Sequence, residues 1–167
     1  MLDGIHKIHL IGIGGSGMRA IANILIQKGY DVSGSDVADS AVIEKFRNMG
    51  ATVHIGHNKD YVKGVDAVVR STAIREDNPE IVAAKEQGIK ILHRSDIVKA
   101  VLDVTDGIAV AGAHGKTSTT SMIGQILVEA EADPTVIIGG EVDYLKGSSC
   151  LGKGHFSVVE ADESDGS

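Results

Sequence analysis

Short apolar runs and stretches of helical spacing alternate along nearly the whole chain. Residues 6–11 form the first apolar run, and 18–28 carry Met18, Ile21, Ile24 and Leu25 at the spacing of one helix face. This pattern predicts a strand over 6–11 and a helix over 18–28, which Gly29 ends. Further strands are predicted over 31–35, 51–54, 67–71 and 89–92. Between them lie a helix over 41–49, closed by Gly50, and one that Pro79 opens and Gly88 closes. Ser95 is placed to N-cap another helix running to about Leu102.

The alternation restarts near 103–107. Strands are predicted over 107–111, 135–138 and 157–161, with a helix over 116–130; the strand at 135 is expected to end at Gly139-Gly140. Such alternation predicts mostly parallel sheets covered by helices. Composition agrees: the 167 residues are 43% hydrophobic, sufficient for one good core or two small ones, and 21 glycines suit many tight turns. With no tryptophan, 3% aromatic residues and a net charge of −7, the chain lacks both a base-stacking platform and a basic face, which argues against a nucleic-acid partner. No apolar run is long enough to span a membrane, and residues 1–4 lack the regions of a signal peptide. The single cysteine, Cys150, excludes an internal disulfide, suits the cytoplasm and reads as a small buried apolar residue.

Two glycine loops carry the chemistry. Gly12, Gly14 and Gly17 stand between a predicted strand and a predicted helix, the context of a dinucleotide fingerprint. Gly12 permits the turn, Gly14 lets the backbone approach a pyrophosphate, and Gly17 lets helix and strand close up. Gly15 and Ser16 add N–H groups and a hydroxyl at the helix start, next to Met18. Asp36 lies nineteen residues past Gly17, where an acid commonly binds ribose hydroxyls. NAD, FAD or a UDP-sugar would each satisfy the loop.

The second loop, Gly112-Ala113-His114-Gly115-Lys116-Thr117, is a shortened P-loop, since Val110 occupies the place of the usual first glycine. Its amides would cradle the phosphates of ATP with Ser118 at the helix start, Lys116 would reach the outer phosphates, and Thr117 would take Mg²⁺. Glu160 ends the last predicted strand, where a carboxylate near a P-loop can hold the same metal; Asp162, Glu163 and Asp165 follow it. His114 is open to a role in contact with substrate or in packing. His54 and His57 are close, but no cysteine or third ligand is spaced to complete a zinc site. The fold class expected is α/β: a Rossmann-like parallel-sheet domain over 1–104, followed by the start of a P-loop ATP-binding α/β domain over 105–167.

Read in order, these residues resemble one family. Gly12-Ile13-Gly14-Gly15-Ser16-Gly17-Met18, Gly34-Ser35-Asp36, Ser71-Thr72-Ala73-Ile74 with Asn78-Pro79-Glu80, the second loop, Asp133-Pro134-Thr135 with Gly139-Gly140, and the stretch from Glu160 to Ser167 look like successive motifs of the Mur ligases of bacterial peptidoglycan synthesis, on the alanine-adding side. Ala113 stands where the family usually has threonine, and Thr72 where serine is usual. The resemblance implies that ATP phosphorylates the lactyl carboxylate of UDP-N-acetylmuramate and that the amine of L-alanine attacks the acyl phosphate. It implies that the first loop holds the UDP diphosphate, with Asp36, Ser71, Thr72, Ala73 and Ile74 near the uridine. Lys116 would act on the transferring phosphoryl group, and Thr117 and Glu160 would hold Mg²⁺. Mur ligases have three domains, so a chain of this length is expected to bind ligand without turning over alone. The rivals are a nicotinamide-binding regulatory or dehydrogenase domain, a non-catalytic sensor on the same fold, and a related ligase that recycles murein peptides.

Overall fold

The computed structural model describes residues 2–161. Its first five strands, β1 (Lys7–Ile11), β2 (Asp31–Asp36), β3 (Thr52–Ile55), β4 (Ala67–Arg70) and β5 (Lys90–His93), form one parallel sheet in the order β3-β2-β1-β4-β5. Central β1 is covered on both faces, which is why its apolar run is nearly continuous: Ile8, Leu10 and Ile11 are fully buried. Leu10 pairs with Gly34 on one side and Val69 on the other. The helices of this unit are α1 (Ser16–Gln27), α2 (Ala41–Asn48), α3 (Pro79–Glu86) and α4 (Arg94–Leu102), and a 3-10 turn spans Lys59–Val62.

The second sheet contains β6 (Asp106–Val110), β7 (Thr135–Val142), β8 (Gly147–Cys150) and β9 (Phe156–Glu160), with α5 (Lys116–Glu129) packed on it. Its order is β6-β9-β7-β8; β6, β9 and β7 run parallel and β8 is antiparallel. This is the α/β class the sequence predicts. No helix among the described residues is long and apolar enough to cross a membrane.

Helix α1 is wedged between the two sheets. Met18, Ile21, Ala22 and Leu25 join Ile8, Leu10 and Val32 in the core of the first sheet. Ala20 and Ile24 turn the other way and join Val101 of α4 with Ile137 and Val159 of the second sheet. A helix that is apolar on more than one side finds cover on more than one side. Polar contacts seal the second face: Asn23 donates its amide to Ser149 O at 3.1 Å, and the Ser149 hydroxyl donates to Ala20 O at 3.0 Å.

Two local expectations are corrected. Helix α4 is capped by His93, not Ser95: the His93 ring accepts from the Ser95 amide, and Asp96 accepts from the His93 amide, closing a capping box two residues earlier. An imidazole nitrogen here does what a hydroxyl or carboxylate oxygen does at most helix starts. Strand β7 passes through Gly139-Gly140 to Val142, because β8 returns beside it and pairs Val142 with Gly147. Strand β8 and the 3-10 turn Asp143–Leu145 before it lie outside the predicted elements and carry no tight hairpin signature; Ser148 and Ser149 in β8 are buried. Cys150, half-buried at the end of β8, donates its thiol to Pro134 O, and burial pushes its pKa up.

Candidate functional site

The first loop leaves β1 at Gly12, whose φ of +73° suits glycine. The amides of Gly12 and Ile13 both donate to Ser35 O, at 2.8 and 3.0 Å, which ties the turn to β2. The Gly14 amide donates to Asp36 Oδ2 at 2.8 Å. A Cβ at Gly14 would lie 2.9 Å from that oxygen, and one at Gly17 would lie 2.7 Å from Arg94 Nη1. At Gly14 the close approach is to a carboxylate that the loop itself holds, whereas at Gly17 the end of the Arg94 side chain would have to move aside. Among the described residues no side chain caps α1, whose N-cap is Gly15 and whose first turn holds no acid. Its first amides and the positive end of its dipole are available to an anion.

In the second loop Gly115 takes a φ of +77° at the N-cap of α5. Lys116 Nζ donates to Gly112 O at 2.7 Å. The Thr117 hydroxyl is shared between both carboxylate oxygens of Glu160, each at 3.1 Å, and the Gly139 amide donates to Glu160 Oε2 at 2.8 Å. Two hard oxygen donors held together fit Mg²⁺, which takes one or two protein groups and completes its shell with waters and phosphate oxygens. Among the described residues no cluster of three or more His, Cys, Asp or Glu is placed to hold a metal. Asp162, Glu163 and Asp165 lie outside the described residues.

One cavity of about 690 Å³ joins the two loops, within the range of about 300–1,000 Å³ common for small-molecule sites. Gly12, Gly14, Gly15, Ser16, Gly17, Met18, Asp36, Ser71, Thr72, Ala73 and Ile74 line one side of it. Thr117, Gly139, Gly140 and Glu160 line the other. The remaining residues assigned to ATP, namely Gly112, Ala113, His114, Gly115, Lys116 and Ser118, do not line it, and His114 is exposed.

Sequence reasoning missed Val37, His57 and Arg94, which also line the cavity. Arg94 directly follows β5, at the carboxyl edge of the parallel sheet where such folds bind ligands, and that position was the available signal. His57 leads to a buried network. Its Nδ1 lies 2.9 Å from Glu80 Oε1, and the side chain of Glu80 is fully buried. His9 Nε2 and Ser35 Oγ approach Glu80 Oε2 at 3.0 and 2.7 Å, and the Asn58 amide donates to Oε1 at 3.3 Å. Burial pushes the Glu80 carboxyl up, but the bonds from His9, Ser35 and His57 outweigh it and hold the group below its ordinary value.

The pattern that defines the Mur ligase family, catalytic domain, matches residues 7–104. A UDP-N-acetylmuramate–L-alanine ligase from Sulfurihydrogenibium is 48% identical over 163 residues, covering 98% of this chain and 36% of that protein. Its counterpart from Delftia acidovorans is 47% identical over 167 residues, covering 100% of this chain and 35% of that protein. Among solved structures, the UDP-N-acetylmuramate–alanine ligase of Thermotoga maritima superposes with a TM-score of 0.84 at 34% identity, over 92% of this chain and 37% of that one. A UDP-N-acetylmuramate:L-alanyl-gamma-D-glutamyl-meso-diaminopimelate ligase from Neisseria meningitides gives 0.87 at 28% identity, over 96% and 53%. The chain thus spans little more than a third of the length of the curated relatives it matches.

Proposed function

The chain belongs to the Mur ligase family, and we propose that the protein joins L-alanine to UDP-N-acetylmuramate using ATP. The observation that carries this reading is the shared cavity, with the first glycine loop on one wall and the Thr117–Glu160 pair on the other. Residues 1–104 form the UDP-sugar unit, and 105–167 belong to the unit that takes the nucleoside triphosphate.

The amides of the first loop and the α1 N-terminus hold the diphosphate. Asp36 accepts from the ribose, and the turn from Ser71 to Ile74 borders the uridine. The lactyl carboxylate then points toward Thr117 and Glu160. ATP supplies the phosphoryl group that turns this carboxylate into an acyl phosphate, and the amine of L-alanine displaces phosphate to leave an amide. Thr117 and Glu160 would hold Mg²⁺, which offsets phosphate charge when bound. Lys116 exchanges its bond with Gly112 O for the transferring phosphoryl group, so its contribution is electrostatic and positional. The cytoplasm, where ATP is abundant, is the expected compartment.

A second reading is favoured by the likeness to the Neisseria ligase: the same site activating the same sugar for a preformed peptide. The curated relatives at 47–48% identity favour L-alanine. The test is phosphate release by the full protein with UDP-N-acetylmuramate, ATP and Mg²⁺, with either L-alanine or L-alanyl-γ-D-glutamyl-meso-diaminopimelate as amine. Release with L-alanine, and a product heavier by one alanyl residue, is expected. Release with the tripeptide alone overturns the choice of donor, and product formation without ATP overturns the reaction class. A nicotinamide ligand would engage the first loop but leave Thr117 and Glu160 without a role; tight NAD binding in place of the UDP-sugar would favour that rival.

A further inference from the structure

We propose that Glu80 is a positioning residue that fixes the tautomer of His57, making the nucleoside end of the cavity selective for a base that presents an N–H, as uracil does. The proposal rests on reading the cavity as a UDP-sugar site.

An ionised carboxylate can only accept, so every group within hydrogen-bond distance of it must donate. Glu80 is enclosed by His9 Nε2 at 3.0 Å, Ser35 Oγ at 2.7 Å, His57 Nδ1 at 2.9 Å and the Asn58 amide at 3.3 Å. It also sits in the first turn of α3, capped by Asn78, where the helix dipole favours negative charge. The charge is buried but fully satisfied.

His57 must then carry its proton on Nδ1. In the neutral ring this leaves Nε2 as a bare acceptor. His57 lines the cavity with 22% of its side chain exposed, and no hydrogen bond occupies Nε2 among the described residues. Its Nδ1 also lies 3.2 Å from the hydroxyl of Ser35, and the ring lines the cavity together with Asp36, Val37 and the Ser71–Ile74 turn, the nucleoside end of the proposed site. A bare acceptor there takes the ring N–H of uracil. Cytosine presents a lone pair at the same ring position, and two facing lone pairs leave both unpaired. The pocket's preference is therefore set by Glu80, which the ligand never touches.

The experiment is calorimetric titration of the full chain with UDP and with CDP, alongside ¹⁵N spectra of the His57 ring. The expected result is UDP binding at least about tenfold tighter than CDP, the scale of one unmade hydrogen bond, with Nδ1 as the protonated nitrogen. In Glu80→Gln the amide can donate to Nδ1 and drive the proton to Nε2; the preference should shrink to within about threefold or invert. If that variant fails to fold, His57→Ala, at a partly exposed site, should lose the preference alone. Equal binding of UDP and CDP by the parent chain, an Nε2–H tautomer in it, or an undiminished preference in the folded variant would each overturn the proposal. Binding of neither nucleotide overturns the UDP-sugar reading beneath it, a different result from equal binding of both.

Discussion

The first glycine loop joins β1 to α1, two elements buried on both sides, whereas the second joins β6 to α5, whose outer faces are open in this chain, which spans little more than a third of its relatives' length. Strand β6 is exposed along most of its length, and α5 leaves Met122, Ile126 and Val128 at the surface. The loops share a strand–glycine–helix plan but are shaped by different agents. Neighbours shape the first: Ser35 O takes two of its amides, Asp36 takes a third, and Arg94 lies over Gly17. The second is shaped, among the described residues, largely from within, by Lys116 on Gly112 O, with Glu160 holding Thr117 from outside. A phosphate-loop signature therefore specifies local backbone and not the support behind it.

The largest expected effect separates the loops by function. In the full protein, Lys116→Ala should lower kcat by about a thousandfold or more while leaving UDP affinity unchanged, as phosphate release and calorimetry would read. Equal losses in both would mean that the loops do not work as separate sites. Next, Glu160→Gln should raise the Mg²⁺ concentration needed for half-maximal rate by roughly 10–100-fold; an unchanged metal requirement would remove Glu160 from that role. Gly14→Ala acts on the first loop alone. Its Cβ would meet Asp36 Oδ2 at 2.9 Å, and UDP should bind about tenfold more weakly, or ~1.4 kcal/mol.

A smaller effect compares the two supports directly. Amides of β1 and β4 should exchange with deuterium at least about tenfold more slowly than those of β6; similar rates would show that the two cores open together. The smallest is a pH effect in the first unit. The folded-state pKa of Glu80 is depressed, so its contribution is fully present above the ordinary carboxyl value of 4.5 and is lost as pH falls below it. Melting temperature measured down this acid limb should fall less steeply in Glu80→Gln, and a parallel slope would show that another group dominates.

The first unit was legible because local and global signals agree in it. The run at Ile8, Leu10 and Ile11, the glycine spacing and Asp36 all describe one strand–loop–helix–strand. The Thr117–Glu160 pairing was legible too, since a P-loop implies a carboxylate on a neighbouring strand and β9 pairs beside β6. What escaped has long-range causes. The burial of Ser149 in β8 depends on Asn23 and Ala20 in a helix far back in the chain. His57 gains its meaning only from Glu80, 23 residues on, and no periodicity announces that contact. The cap at His93 escaped because histidine is a rare occupant of that position, although Asp96 three residues later was half of the signal.

The placement of α1 between two sheets has a thermodynamic consequence. Its starting turn is where the proposed UDP-sugar would be gripped, while Ala20 and Ile24 on its flank seat the second sheet. Under the proposed function, a ligand that steadies that helix would steady the platform carrying Thr117 and Glu160, and occupancy of one wall would then be linked to affinity at the other. Linkage of this kind is reciprocal: the factor by which a UDP-sugar sharpens nucleotide binding equals the factor by which the nucleotide sharpens sugar binding.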